Sequence, residues 1–421
     1  MFNFLQNCTL YQMLDMYRDI GAPVGELVSQ GIDFYENTVN PLSATDFGKA
    51  FLANLDAITD LAMTYKKPSF GIAETRIGDK PVKITEQIIE QRPFCDLVHF
   101  AKQNGQEGKM EDKNQPRLLI FAPMSGHYAS LLRGTVEGLL PHADVYITDW
   151  KNARDVPLSE GGFDFYDYID YAVDFMKHLG KDAPLHVLAV CQPCVPVFAA
   201  VAHMSASGEK AVPRTLMMMG GSIDARKSSN HVTKFSEQNA EWFTNNLITI
   251  VPPKYPGAMR AVYPGYLQLL GFLSLNMPRH LESGAKLYRN IILGSEEDTD
   301  KIHRFYKEYF SVMDLTAEFY MQTIQLVFKD YSLPEGVMMY RGEYIDPEAI
   351  ERTALFAIEG EQDDIAGIGQ TKAALELCDN LPDSAKAYRL QKGVGHYGIF
   401  NGSRYKKEIV PAMLGFMKAH S

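Results

Sequence analysis

Residues 117–219 alternate between short strand-type runs and longer helix-type runs, which predicts an α/β protein on a mostly parallel central sheet. Two further observations complete the expectation. From about Arg226 to Glu348 the alternation stops, and roughly 120 residues rich in helix-type and aromatic side chains follow, well beyond ordinary loop length; they read as a mostly helical lid insertion. Strand character then returns at 354–358 and 387–390, so the sheet resumes beyond the insertion.

Composition sets the outer limits. A chain of 421 residues is too long for one minimal core, and suggests either several domains or one large domain with an insertion. The formal net charge of −11 argues against a general nucleic-acid binder, which would carry a basic patch or stripe. Five scattered cysteines (Cys8, Cys95, Cys191, Cys194 and Cys378) make no disulfide framework and fit a reducing, cytoplasmic setting. The first residues lack a signal-peptide pattern, and no run of 18 or more apolar residues occurs, so no transmembrane segment is expected.

The elements follow in order. Between Tyr11 and about Lys66 apolar residues recur at spacings of three and four, as at Phe51, Leu52, Leu55, Ile58, Leu61 and Ala62; a helical layer over 1–70 is expected, with breaks at Pro23 and Pro41. Gly78-Asp79 between the runs 75–77 and 82–84 signals a hairpin, with Pro81 confining the second run to a sheet edge. Residues 105–116 read as a polar linker or exposed loop. Strand-type runs at 117–122, 144–148, 185–190 and 214–219 then enclose helical patterns at 129–140, 166–179 and 195–204, as right-handed βαβ units require. A last helical run lies near 406–417. The expected division is 1–70 helical layer, 71–225 first part of the core, 226–350 lid and 351–421 last part of the core.

Open α/β sheets carry their active sites where strands end. One strand, 185–190, runs straight into Cys191-Gln192-Pro193-Cys194 and an apolar helical run. A nucleophile on such a turn stands clear of the sheet beside N–H groups that can bind an oxyanion. Relative to the pattern G-x-S-x-G, Cys191 replaces serine, and Ala189 and Pro193 replace the glycines. The next-to-last strand exits into Glu359-Gly-Glu-Gln-Asp363-Asp364-Ile365, and the last leads through Gly395 to His396. Nucleophile, acid, base is the chain order of α/β hydrolases. A thiol of pKa about 8.5 needs an imidazole to supply thiolate at neutral pH; His396 would take the proton and Asp363 would orient the ring. Asp363 is preferred to Asp364, which would cap the next turn, because it lies nearer the strand end and begins an Asp-x-Ile pattern. A further exit, Ala122-Pro-Met124-Ser-Gly-His127-Tyr128, supplies one oxyanion N–H from Met124, with Gln192 giving the other. His127 is a second base candidate or a packing residue, and Trp150 a wall or packing residue. Cys191-x-x-Cys194 also has the form of a redox pair; the long βα series upstream argues against that, and no second cysteine pair completes a zinc site, so Cys194 reads as buried packing.

Together, Ala189-Val-Cys191-Gln-Pro193, Glu359-Gly-Glu-Gln-Asp363-Asp-Ile and Gly395-His396-Tyr-Gly398 resemble the intracellular polyhydroxyalkanoate (poly(3-hydroxybutyrate)) depolymerases, which are cysteine-nucleophile α/β hydrolases. The resemblance extends to 122–128 and to Asp149-Trp150-Lys-Asn-Ala-Arg154-Asp-Val-Pro157. It implies Cys191 as nucleophile, Asp363 as acid and His396 as base, and a polyester of 3-hydroxybutyrate, held in cytoplasmic granules, as substrate. The aromatic insertion would supply a lid and an apolar groove, or simply a helical core. No metal or organic cofactor is called for, and a homo-oligomer is allowed. The rival readings are a polyhydroxyalkanoate synthase-like acyltransferase with the same three residues and a non-catalytic granule-associated protein.

Overall fold

Strands buried on both faces read as continuous apolar runs, and Leu185-His-Val-Leu-Ala-Val190 is such a run, every residue of it buried. In the computed structural model, which describes Cys8, residues 11–13, 15, 16, 67–103, 115–275 (without the side chains of 272–275) and 308–421, this segment lies at the middle of a nine-stranded sheet. The strands are β1 (Glu74–Ile77), β2 (Lys80–Gln91), β3 (Cys95–Gln103), β4 (Arg117–Phe121), β5 (Asp144–Trp150), β6 (Leu185–Val190), β7 (Thr215–Met219), β13 (Ala354–Gly360) and β14 (Lys386–Gln391). Their order is β1-β2-β3-β5-β4-β6-β7-β13-β14. From β5 to β14 the neighbours are parallel, and β1, β2 and β3 add an antiparallel edge. This is the α/β-hydrolase fold, with a mostly parallel central sheet.

Helices cover the sheet for sequence-level reasons. The helix α1 (Arg133–Leu139) follows β4 through a 3-10 turn. The next, α2 (Phe165–Gly180), starts in a capping box: the Asp164 carboxylate accepts the Tyr166 and Asp167 N–H groups, and Asp167 reaches back to the Asp164 N–H. Its apolar face, including Tyr168, Ile169, Ala172 and Met176, is buried. By contrast α3 (Cys194–Ala206) is apolar nearly all round and buried from Cys194 to Ala202, packed against both α2 and the sheet.

Between β7 and β13 the chain leaves the sheet. It forms α4 (His231–Ser236), α5 (Ala240–Leu247), α6 (Gly265–Leu275) and α7 (Ala317–Thr323). The described part is less uniformly helical than expected: β8 (Thr249–Ile250), β9 (Ala261–Tyr263) and β10 (Leu315–Thr316) pair into an antiparallel sheet, and β11 (Met339–Tyr340) and β12 (Glu343–Tyr344) into a hairpin. The final helix, α8 (Val410–Ala419), buries Val410, Met413 and Met417.

Two expectations change at the antiparallel edge. Pro81 does not make β2 an edge strand, because β1 lies outside it. Pairing of β2 with β3 begins only at Lys83, so the missing N–H of Pro81 falls beyond the ladder. Strand β3 has no counterpart among the expected elements, and it joins the hairpin to β5. Nearly all of the layer expected over 1–70, all but the last two residues of the loop expected at 105–116, and residues 276–307 of the expected lid insertion lie outside the described residues.

Past β7 the sequence Gly220-Gly221 makes room for its neighbours. A Cβ on Gly221 would stand 2.2 Å from Cys194 Cβ and 2.9 Å from the Cys191 carbonyl oxygen. Gly221→Ala is therefore expected to lower stability by about 3 kcal/mol through overpacking, read as a lower denaturation midpoint in urea. An unchanged midpoint would contradict the close approach.

Candidate active site

At the end of β6 the backbone turns through Cys191 with φ of 67°, in the left-handed region that disfavours any residue with a Cβ. Such a conformation costs on the order of 1–2 kcal/mol and persists only where the surroundings hold it. Here the Cys191 N–H donates to the Met219 carbonyl at 2.7 Å, and the Cys191 carbonyl accepts the Cys194 N–H at 3.1 Å. The departures from G-x-S-x-G then become intelligible. Pro193 has φ of −59° at the start of α3, which is the angle its ring imposes. Ala189 sits inside β6, and the tight approach falls on Gly221 of the neighbouring strand end.

The exits of β13 and β14 bring Asp363 and His396 to the same place. His396 Nδ1 is hydrogen-bonded to Asp363 Oδ2 at 2.8 Å, with the two side chains 4% and 0% exposed. The other carboxylate oxygen accepts the Ile365 and Ala366 N–H groups, both at 2.9 Å. Asp363 therefore holds the ring and also caps its own turn, the task expected of Asp364. His396 also lies near enough to Cys191 for the sulfur to act on its ring. Burial opposes a charge on the ring, but the charges of Asp363 and Cys191 and their hydrogen bonds outweigh it and hold the His396 pKa well above the ordinary imidazole value. Gly220, with φ of +59°, leaves the space: a Cβ there would meet His396 Cε1 at 3.1 Å and Asp363 Oδ2 at 3.2 Å.

The loop after β4 is pinned by its neighbour β5. Thr148 Oγ1 accepts the Ala122 N–H and Trp150 Nε1 donates to the Ala122 carbonyl, both at 2.9 Å, so Trp150 is an anchor of this loop. Met124 and Gln192 do come together, in a way the sequence does not announce. The Met124 N–H, the expected oxyanion donor, donates to the side-chain Oε1 of Gln192 at 3.2 Å. The Gln192 backbone N–H has no protein acceptor among the described residues.

Met124, Cys191, Gln192 and His396 share one cavity of about 250 Å³, lined also by Tyr263, Phe319, Tyr320, Val327 and Phe328 of the insertion. The aromatics of the insertion divide between two roles: Tyr309 is buried without lining the cavity, whereas Phe319, Tyr263 and Tyr320 line it, the last two in contact with each other. His127 lines the cavity too, but burial lowers its pKa to about 4 and its Nε2 is engaged with the Tyr309 carbonyl at 3.0 Å. That geometry makes it a staple between the loop and the insertion. Cys194 is fully buried, its thiol donates to the Ala189 carbonyl at 3.4 Å, and burial raises its pKa far above the usual range. A redox partnership with Cys191 has no support in that environment. Among the described residues no cluster of three or more His, Cys, Asp or Glu is placed to hold a metal ion.

Sequence reasoning missed the supports. Glu359, fully buried at the end of β13, accepts the N–H groups of Gly369, Thr371 and Lys372 at 2.7–2.9 Å and the Tyr388 hydroxyl at 2.8 Å, closing the loop that carries Asp363. Thr371 then bonds both the N–H and the carbonyl of Gly221 at 2.9 Å. Asn152 joins the core to the insertion: its Oδ1 accepts the N–H of Asp314 at 3.0 Å, and Asp314 in turn accepts the N–H of Gly265 at 2.8 Å.

Fold and site together define an α/β-hydrolase-fold protein. Its residues 220–421 match the family described as PHB de-polymerase C-terminus. Over 349 residues the chain is 21% identical to the poly(3-hydroxyalkanoate) polymerase subunit PhaC of Haloferax mediterranei, covering 81% of this chain and 64% of that protein, so it spans less than two thirds of that relative's length. Both likenesses are to polyhydroxyalkanoate-related proteins and support a relation to that group of α/β hydrolases. Among solved structures, it is 11% identical to the 2-hydroxy-6-oxo-6-phenylhexa-2,4-dienoate hydrolase of Rhodococcus sp. strain RHA1, covering 80% of this chain and 99% of that one with a TM-score of 0.45. A carboxylesterase from Nitrososphaera gargenis is 13% identical, covering 79% and 99%, also with a TM-score of 0.45.

The pair of Asp363 and His396 has a pH signature. A raised folded-state pKa means that the folded chain holds the proton more tightly than the unfolded one, so the stabilisation is fully present below about pH 6.5 and is lost as pH rises through the elevated value. The stability advantage of the native chain over Asp363→Asn should be greatest at about pH 5–6.5 and narrow as pH rises, measured by urea denaturation at each pH. A gap that widens with pH would contradict the assignment.

Proposed function

We propose that this chain is an ester hydrolase that depolymerises polyhydroxyalkanoate through an acyl-enzyme on Cys191. The observation that carries the reading is the cysteine with φ of 67°, set on a strand-to-helix turn beside the buried His396–Asp363 pair and at the wall of an apolar cavity. The thiolate is the nucleophilic form of cysteine, and an imidazolium beside it is the arrangement that favours attack at neutral pH. Cys191 Sγ adds to the ester carbonyl, and the carbonyl electrons move to oxygen, where the Gln192 and Met124 N–H groups can receive them. His396 then gives its proton to the departing hydroxyl end of the polymer as the carbon–oxygen bond breaks, leaving a thioester. A water deprotonated by His396 releases the hydroxyacid and restores the thiol. Asp363 keeps Nδ1 protonated so that Nε2 does both transfers.

The family match over 220–421 favours a polyester as substrate, and the apolar cavity suits its aliphatic backbone. The site of action we propose is the surface of a cytoplasmic storage granule. The likeness to a polymerase subunit favours a second reading, in which the same thioester is passed to a polymer hydroxyl instead of water and hydroxyacyl-CoA is the donor. The two differ only in the acceptor.

Cys191→Ala is expected to lower hydrolysis of amorphous poly(3-hydroxybutyrate) by about a thousandfold or more, and Cys191→Ser to keep a small fraction of it. Release of 3-hydroxybutyrate measures both. Unchanged hydrolysis in Cys191→Ala would remove the nucleophile assignment. Incubated with hydroxyacyl-CoA, the protein should release no CoA coupled to polymer growth; growth without polymer loss would establish the transferase reading instead.

A further inference from the structure

We propose that the Gln192 side chain is a displaceable occupant of the oxyanion site, and that substrate enters by exchanging its own carbonyl oxygen for Gln192 Oε1 on the Met124 N–H. The inference rests on the acyl-transfer reading above and adds to it a specific determinant of substrate affinity.

The Met124 N–H can only be met by an acceptor, so the contact at 3.2 Å fixes the carbonyl end of the Gln192 amide toward Met124. The opposite end, Nε2, is then buried and has no hydrogen-bond partner among the described residues. Buried amides ordinarily satisfy both ends. This one satisfies a single end, and does so on a donor that an acyl-transfer site would offer to its substrate. Both residues and Cys191 line the same cavity, so the occupied donor faces the space a substrate would fill.

An amide carbonyl oxygen presents the same planar acceptor as an ester carbonyl, so Oε1 stands in for the substrate's oxygen on this donor. The hold is weak on two counts. At 3.2 Å the contact lies at the long end of N–H···O hydrogen bonds, and leaving the position allows Nε2 to find a partner. The rest of the loop does not yield: Ala122 is fixed through both its N–H and its carbonyl, and the Gly126 carbonyl accepts the Met313 N–H at 2.7 Å. A moving side chain against a fixed donor is what exchange requires. The backbone N–H of Gln192 stays in place whichever way the side chain points, so any substitution at this position other than proline keeps that second donor.

Two readouts test this. The first is KM for 4-nitrophenyl 3-hydroxybutyrate. The second is protection of Cys191 from iodoacetamide by butyraldehyde. In the latter the thiolate adds to the aldehyde carbon, the carbonyl electron pair moves to oxygen, and His396 supplies the proton of a reversible thiohemiacetal whose oxygen sits on the Met124 donor. Gln192→Ala is expected to lower KM about threefold and to tighten protection by a similar factor. Gln192→Glu, close in shape, keeps an acceptor on Met124 and adds a negative charge there; it should raise KM and weaken protection about tenfold. Unchanged KM and protection in both variants would overturn the proposal. So would a loss of kcat at constant KM in Gln192→Ala, which marks a side chain that stabilises the transition state rather than one that is displaced. If the native chain formed no acyl-enzyme from any ester or hydroxyacyl-CoA, the acyl-transfer reading would fail; the butyraldehyde arm needs only the thiol, the proton and the Met124 donor, and would still report on Gln192.

Discussion

The left-handed backbone at Cys191 is the constraint on which the rest of the molecule depends. A cysteine does not adopt φ of 67° for its own benefit. It is held there by the Met219 carbonyl at the end of β7, by the first turn of α3, and by the absence of a side chain at Gly221. Two of these lie at the end of β7 and the third at the start of α3. The strain at one residue is therefore distributed over the centre of the sheet, where every residue of β6, β7 and β13 is buried. The same geometry that strains the backbone lifts the thiol clear of the sheet toward His396.

Supports radiate from this point. Thr371 ties Gly221 to the loop that Glu359 closes, and that loop carries Asp363, so the turns at Cys191 and Asp363 share one hydrogen-bonded frame. A buried carboxylate is costly unless its lone pairs are filled, and Glu359 fills them with three N–H groups and a hydroxyl. On the opposite side, Met313 and Asp314 stitch the insertion to the loop after β4 and to Asn152. The cavity lies between these two frames. Its walls come from the insertion and its floor from the sheet exits, which is why the apolar lining and the reactive groups meet in one place.

The parallel strands are legible in the amino-acid sequence because burial on both faces leaves no alternation to misread, as in β6 and β13. Cys191, Asp363 and His396 are legible because each lies within a few residues of the end of a strand-type run. Strand β3 is not: Asp96, His99 and Lys102 look like solvent-exposed residues, yet Asp96 pairs with Lys151 and His99 with Asp144, both far along the chain. Glu359 is hidden for the same reason, since its four donors lie 10 to 29 residues further on. The small sheet of the insertion escapes notice because strands of two or three residues carry no periodicity. Gly220-Gly221 does leave a signal, two glycines directly after an apolar strand, but its meaning depends on where Cys194 and His396 pack.

We propose that the strained cysteine receives the acyl group. The measurement that addresses it most directly is mass spectrometry of the protein quenched during turnover of a 3-hydroxybutyrate oligomer, followed by peptide mapping. A mass gain of hydroxyacyl units is expected on the peptide containing Cys191, labile to hydroxylamine as a thioester is. Turnover with Cys191 unmodified, or with the acyl group on another residue, would contradict it.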